Sequence, residues 1–187
     1  MKKPFLFGLL FLFLCFSSIN AQNKTDYAEL AAEAEVTLEK AVAYFQTLAI
    51  EGGYVYFYSL DGIEKWGEGK TDDRTIEVQP PGTPAVGMSF LKAYRATKNK
   101  DFLKAAEDAA NALIKGQNDL GGWDHKIYFD RPKGKTVSFD DNQTQSAISF
   151  LMALDQETDQ PELTNAINKA LQMMVESQLE NGGWPHQ

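Results

Sequence analysis

The sequence predicts an all-α chain of αα-hairpin repeats, about 60 residues each, with small strands in the Gly-rich loops between repeats. Three observations carry this. The string Gln117-Asn-Asp-Leu-Gly121-Gly122-Trp123-Asp-His125 aligns on Gln178-Leu-Glu-Asn-Gly182-Gly183-Trp184-Pro-His186 at an offset of 61 residues, and Gly52-Gly53-Tyr54 is a weaker third copy. A second string, Ser89-Phe90-Leu91-Lys92-Ala93, aligns on Ser149-Phe150-Leu151-Met152-Ala153 at an offset of 60. Apolar residues between these strings recur at the i, i+3, i+4, i+7 spacing of amphipathic helices.

The helices follow in order. Residues 27–49 carry a stripe of Tyr27, Leu30, Ala31, Ala34, Leu38, Ala41, Val42, Phe45 and Leu48. Pro84 sits in the first turn of a helix over 83–97, where its missing N–H is no loss, with Val86, Phe90, Leu91 and Tyr94 inward. Asp101 is the expected cap of a helix over about 102–116 bearing Phe102, Ala106, Ala109, Leu113 and Ile114. Asp141 or Asn142 starts a helix over 143–156, and Pro161 opens the last, over 161–178. Loops 49–81 and 117–141 join one hairpin to the next, with short strands expected at 54–58 and 126–129. The segment 71–77, TDDRTIE, reads as a solvated loop.

The N-terminus has the form of a secretory signal peptide. Lys2 and Lys3 precede an apolar run from Phe5 to Phe16, and small Ala21 stands before Gln22. The run is shorter than the roughly 20 residues of a membrane span. Cleavage after Ala21 leaves residues 22–187 as the mature domain, without the one Cys and two of the lysines. The net charge then moves from −8 to −10. Export to the periplasm or the extracellular space is the expectation. An acidic, thiol-free chain argues against nucleic acid, an anionic membrane surface, disulfides, thiolate zinc and a Cys nucleophile. No GxGxxG, GxxxxGK[ST] or GxSxG pattern is present, and none of the Asp-x-Asp-Asp acid type.

A Gly-Gly pair just past a helix end supplies a tight turn with positive φ, and the Trp after it is a large anchor whose N–H wants a partner. The Gln four residues before the first Gly can bond loop backbone. The unit reads either as a staple between repeats or, through Trp123 and Trp184, as a sugar-stacking surface. Tyr54, Tyr56, Tyr58 and Trp66 form an aromatic cluster that reads as loop packing or as a glycan platform. His125 and His186 recur one repeat apart, as scaffold residues do.

Gln-x3-Gly-x-Trp repeated after outer helices resembles the signature of terpenoid-cyclase-like α/α-toroid proteins. Gln178-Leu-Glu-Asn-Gly-Gly-Trp-Pro and Phe139-Asp140-Asp141-Asn142-Gln143-Thr144 are similar to motifs of the family 10 polysaccharide lyases, secreted pectate lyases of toroid architecture. The resemblance implies part of an incomplete α/α toroid. A closed ring needs about six hairpins, or about 360 residues, so the chain reads as the N-terminal portion of a larger domain. A large exposed apolar patch is then expected on the 161–178 side.

The resemblance also implies calcium-assisted β-elimination on polygalacturonate or a related plant-type uronic-acid polysaccharide. Calcium and an Arg base are implied in turn. Asp140 and Asp141 are the candidate metal ligands; Arg131 and Asp141 are the candidate catalytic residues. Trp123, Trp184, Tyr54 and Thr144 are the candidate substrate-binding residues. The acids before a helix read equally as caps favoured by the helix dipole. The alternatives are a non-catalytic toroid module binding a glycan or protein, and a toroid hydrolase acting on uronic sugars.

Overall fold

The computed structural model describes residues 27–185. The expected signal peptide and His186 lie outside these residues. The chain divides into two units, one ending at Thr37 and the other beginning at Leu38. The boundary falls within the first helix, α1, Tyr27–Thr47. In the first unit Tyr27 and Leu30 are exposed, against the inward stripe expected of them. In the second unit Val42 and Leu48 are buried, and Leu38 packs against the core.

Four further α-helices are described, in two hairpins: α2, Thr83–Thr97, with α3, Lys100–Gly116, and α4, Gln143–Asp155, with α5, Pro161–Glu176. Mostly helical structure with small strands is therefore what the chain adopts. Pro84 and Pro161 stand in the first turns of α2 and α5 as expected. The cap of α3 is Asn99 rather than Asp101: the Asn99 side chain accepts the Asp101 N–H, and the helix starts two residues earlier than its apolar pattern. Lys98, in the left-handed region at φ 61°, turns α2 into α3.

The start of α4 also differs from expectation. Asp140–Asn142 form a 3₁₀ turn, and Asn142 makes no side-chain cap bond. The turn is held instead from inside the helix, where Gln145 Nε2 donates to the Phe139 carbonyl and Gln143 Nε2 to the Trp123 carbonyl.

The loop between α1 and α2 holds β1, Phe57–Tyr58, β2, Lys65–Gly67, and β3, Gly69–Lys70, an antiparallel sheet in that order. Next comes β4, Thr75–Glu77, which pairs antiparallel with β5, Lys126–Tyr128, in the following loop. The register sets Ile76 opposite Ile127. All three β4 residues are buried, which corrects the reading of 71–77 as a solvated loop. Ile76 is the apolar anchor, and pairing with β5 satisfies the backbone that water would otherwise solvate.

One core joins the hairpins. Phe90 and Leu91 of α2, Phe102 and Leu113 of α3, Phe150 and Leu151 of α4, and Leu163 and Ala170 of α5 are buried in it. Helix α3 is packed around most of its circumference and buries five alanines: Ala105, Ala106, Ala109, Ala110 and Ala112. Gly87 of α2 faces Phe150, where a Cβ would lie 2.3 Å from the ring. Small residues let these helices approach closely. No described helix is long and apolar enough to cross a membrane.

Candidate functional site

The Gly121-Gly122-Trp123 unit is a staple. Trp123 is 1% exposed, and its indole N–H donates to the Leu113 carbonyl at 2.8 Å. Gln117 Nε2 donates to the carbonyls of Gly121 and of Ala166 in α5. Trp123 is therefore closed to a sugar, which corrects its assignment to substrate. Tyr54 is equally closed, packed against Phe45 and Phe90, with desolvation pushing its phenol up. Thr144 is fully buried and donates its hydroxyl to the Ser138 carbonyl at 2.6 Å. It closes the loop ahead of α4 and binds no substrate. Trp184 is 43% exposed, with its N–H on the Met174 carbonyl.

The loops ahead of α2 and α4 enclose a polar centre. Glu77 of β4 is fully buried, and its Oε1 accepts from Lys126 Nζ and the Glu68 N–H, each at 3.2 Å. Among the described residues its Oε2 has no hydrogen-bond partner. Desolvation outweighs Lys126 and raises the Glu77 carboxyl above the ordinary range. Gly67 makes room for it, since a Cβ there would overlap Oε1. Tyr56 is held protonated beside it by desolvation and then by the Glu77, Glu68 and Asp141 charges. His125 Nε2 lies 3.3 Å from Ser138 Oγ, a scaffold contact across the loop.

Lys126 leads from this centre to a cavity of about 380 Å³ at the C-terminal end of α3. The cavity is basic. Lys115, Lys126, Arg131 and Lys133 line it against one acid, Asp124, in a chain whose net charge is −8. Asp124 is itself occupied by the His125 N–H and the Thr136 hydroxyl. Lys115 reaches Glu51 at 2.9 Å and holds that carboxyl below its ordinary range. Lys133 donates to the Gln117 carbonyl. Tyr128 and Phe129 form aromatic walls under cations, Arg131 lying 4.3 Å from the Tyr128 ring centre and Lys115 4.9 Å from that of Phe129.

Arg131 and Asp141 occupy different surroundings. Arg131 lies between Asp72, at 3.8 Å, and Asp130, at 3.6 Å. A guanidinium so placed is a binder of carboxylates. Asp141 stands in the 3₁₀ turn with φ 43°, accepting from Gln79 Nε2 at 3.3 Å. Asp140 Oδ1 accepts the Asp141 N–H. Calcium wants six to eight oxygens, several from carboxylates. Among the described residues no three His, Cys, Asp or Glu side chains gather to hold a metal, so Asp140 and Asp141 would need oxygens from other groups to hold calcium.

The sequence reading missed Glu77 and the lysines of the cavity. The excess of bases over residues 115–135, Lys115, Lys126, Arg131, Lys133 and Lys135 against three Asp, was the legible signal for the lysines. Nothing local marked Glu77, whose burial depends on β5 from the next loop.

The fold is mostly helical, two αα-hairpins with small strands in the loops, and two solved structures match it. A family 10 polysaccharide lyase from Cellvibrio cellulosa is 17% identical with a TM-score of 0.52, covering 72% of this chain and 44% of that one. A point mutant of that lyase, in complex with trigalacturonic acid, is 18% identical with a TM-score of 0.51, covering 72% and 45%. The chain thus matches less than half the length of these structures. At this identity the likeness is one of fold. No known family profile and no curated protein match the chain.

Proposed function

We propose that the chain binds an acidic polysaccharide as part of a secreted pectate-lyase-like protein acting on polygalacturonate or a related uronic-acid polymer. The basic cavity beside α3 carries this reading. Four cations, three of them paired with carboxylates, and two aromatic walls line it, and uronates offer both carboxylates and apolar sugar faces to such a surface. The fold shared with a lyase whose mutant was solved with trigalacturonic acid supports the same ligand class.

In β-elimination the proton beside the carboxylate leaves to a base. The bond to the leaving sugar oxygen breaks, and a ring double bond forms. In this chain Arg131, Lys115 and Lys133 would engage carboxylates, while Lys126 is shared with Glu77. A non-catalytic binding module is the second reading, favoured by Arg131 pairing with Asp72 and Asp130 while Asp141 accepts from Gln79.

Calorimetry with trigalacturonate and a neutral trisaccharide tests the binding. The acidic sugar should bind, more weakly as salt rises, and the neutral one should not. Equal binding of both, or of neither, would overturn the proposal. Ultraviolet absorbance of unsaturated uronate, with calcium and with chelator, separates the lyase from the binding module.

A further inference from the structure

We propose that a uronate bound in the basic cavity draws a proton onto Glu77 through Lys126, so that the site holds its anion more tightly as the medium turns acidic. The proposal deepens the reading of that cavity as an acidic-sugar site and rests on it.

A buried acid and a surface cavity share one cation. Glu77 is fully buried, and among the described residues Lys126 is the only cation paired with it. The Lys126 side chain is 17% exposed and also lines the cavity. Its ammonium carries three donors. It lies 3.2 Å from Glu77 Oε1 and donates to the Glu68 carbonyl, which leaves a donor for a sugar carboxylate. The other groups around Glu77 supply no second positive charge in contact with it. Glu68, in the β2–β3 turn, bonds Oε1 through its N–H but sets its own carboxylate against Glu77. Tyr56, ahead of β1, is held protonated, and Asp141, ahead of α4, acts on Tyr56. His125, beside β5, faces the Glu68 carboxylate at 3.9 Å. Lys115 pairs with Glu51, Arg131 with Asp72 and Asp130, and Lys133 with the Gln117 carbonyl.

A uronate drawn to Lys126 therefore sets a second carboxylate on the ammonium that Glu77 uses. A nearby like charge disfavours the ionised form of each. Glu77 is the one that yields, because it is desolvated and its Oε2 is unbonded among the described residues. The proton it gains favours the sugar by the same factor by which the sugar favours the proton. Affinity thus rises as pH falls from the bound midpoint of Glu77 to the free one, by about tenfold for each unit between them.

Carbon-13 glutamate in the full chain tests this, with the Glu77 carboxyl assigned by through-bond correlation to its backbone. Its titration midpoint should lie higher with saturating trigalacturonate than without, at pH above about 5 where the sugar itself stays ionised. Calorimetry in two buffers of different protonation enthalpy should show proton uptake on binding, lost in Glu77→Gln and kept in His125→Gln. Without sugar, Lys126→Met should raise the same midpoint by about one unit or more. The free and bound midpoints of the parent decide the matter if a variant does not fold. A midpoint that neither trigalacturonate nor Lys126→Met moves overturns the proposal, as does uptake equal in the parent and Glu77→Gln. With binding intact, those results leave the reading of the cavity standing. Trigalacturonate that binds at no pH overturns that reading, and the coupling with it.

Discussion

Replacing Trp123 by Phe separates a staple from a sugar platform. The substitution removes the indole N–H from the Leu113 carbonyl at a site 1% exposed to solvent. A buried acceptor left without a partner costs about 1–3 kcal/mol. The smaller ring leaves a gap beside Leu113, and trimming a buried side chain by a few atoms adds about 1 kcal/mol. The expected loss is therefore about 2–4 kcal/mol. At about 2–4 °C per kcal/mol for a domain of this size, the midpoint should fall by about 5–15 °C. Trp184→Phe removes the same bond at a site 43% exposed, where water replaces it, so its effect should stay below about 1 kcal/mol. Thermal and urea unfolding followed by far-ultraviolet circular dichroism reads both variants. Equal losses would refute the reasoning. So would a Trp123→Phe chain of unchanged stability that binds trigalacturonate more weakly.

Four further outcomes are expected. Arg131→Gln, and separately Lys115→Gln, should weaken trigalacturonate binding several-fold and flatten its salt dependence in calorimetry, leaving far-ultraviolet spectra unchanged. Glu77 carries a native carboxyl raised above 4.5, so its contribution to stability is full below that value and is lost as pH rises through the native one. The stability of the parent relative to Glu77→Gln should therefore fall as pH rises across that window in urea titrations, and a flat or rising difference would contradict the burial argument. Gly87→Val should destabilise by about 1–3 kcal/mol or more through its clash with Phe150, read by thermal unfolding. Millimolar calcium without saccharide should leave the melting midpoint unmoved, because Asp140 and Asp141 alone supply too few oxygens to favour the native state.

The helices were legible because each depends on a short-range rhythm. The apolar spacing of Phe102, Ala106, Ala109 and Leu113, and prolines at first turns, are local signals that the fold respects. Helix starts were less legible where a neighbouring loop decides them. Gln143 and Gln145 hold the start of α4 by reaching to the Trp123 and Phe139 carbonyls, which no capping pattern announces. Strand β4 was lost for a similar reason: Thr75–Glu77 is polar at two of three positions and becomes a strand only when β5 arrives from about 50 residues on. The site suffered most. Tyr54, Trp123 and Thr144 are chemically apt for sugars, but their role was settled by burial, which residue type does not fix.

Helix α3 has a consequence for how the chain can change. Its five buried alanines act as a gauge block, fixing the spacing between elements on either side. In a stack where each repeat touches only its neighbours, an error of pitch introduced at one place is inherited by everything after it. A single added methylene at Ala106 or Ala109 would shift the loops beyond it, the cavity included, without touching any residue that binds. The placement of those distant loops thus depends on atoms that α3 lacks.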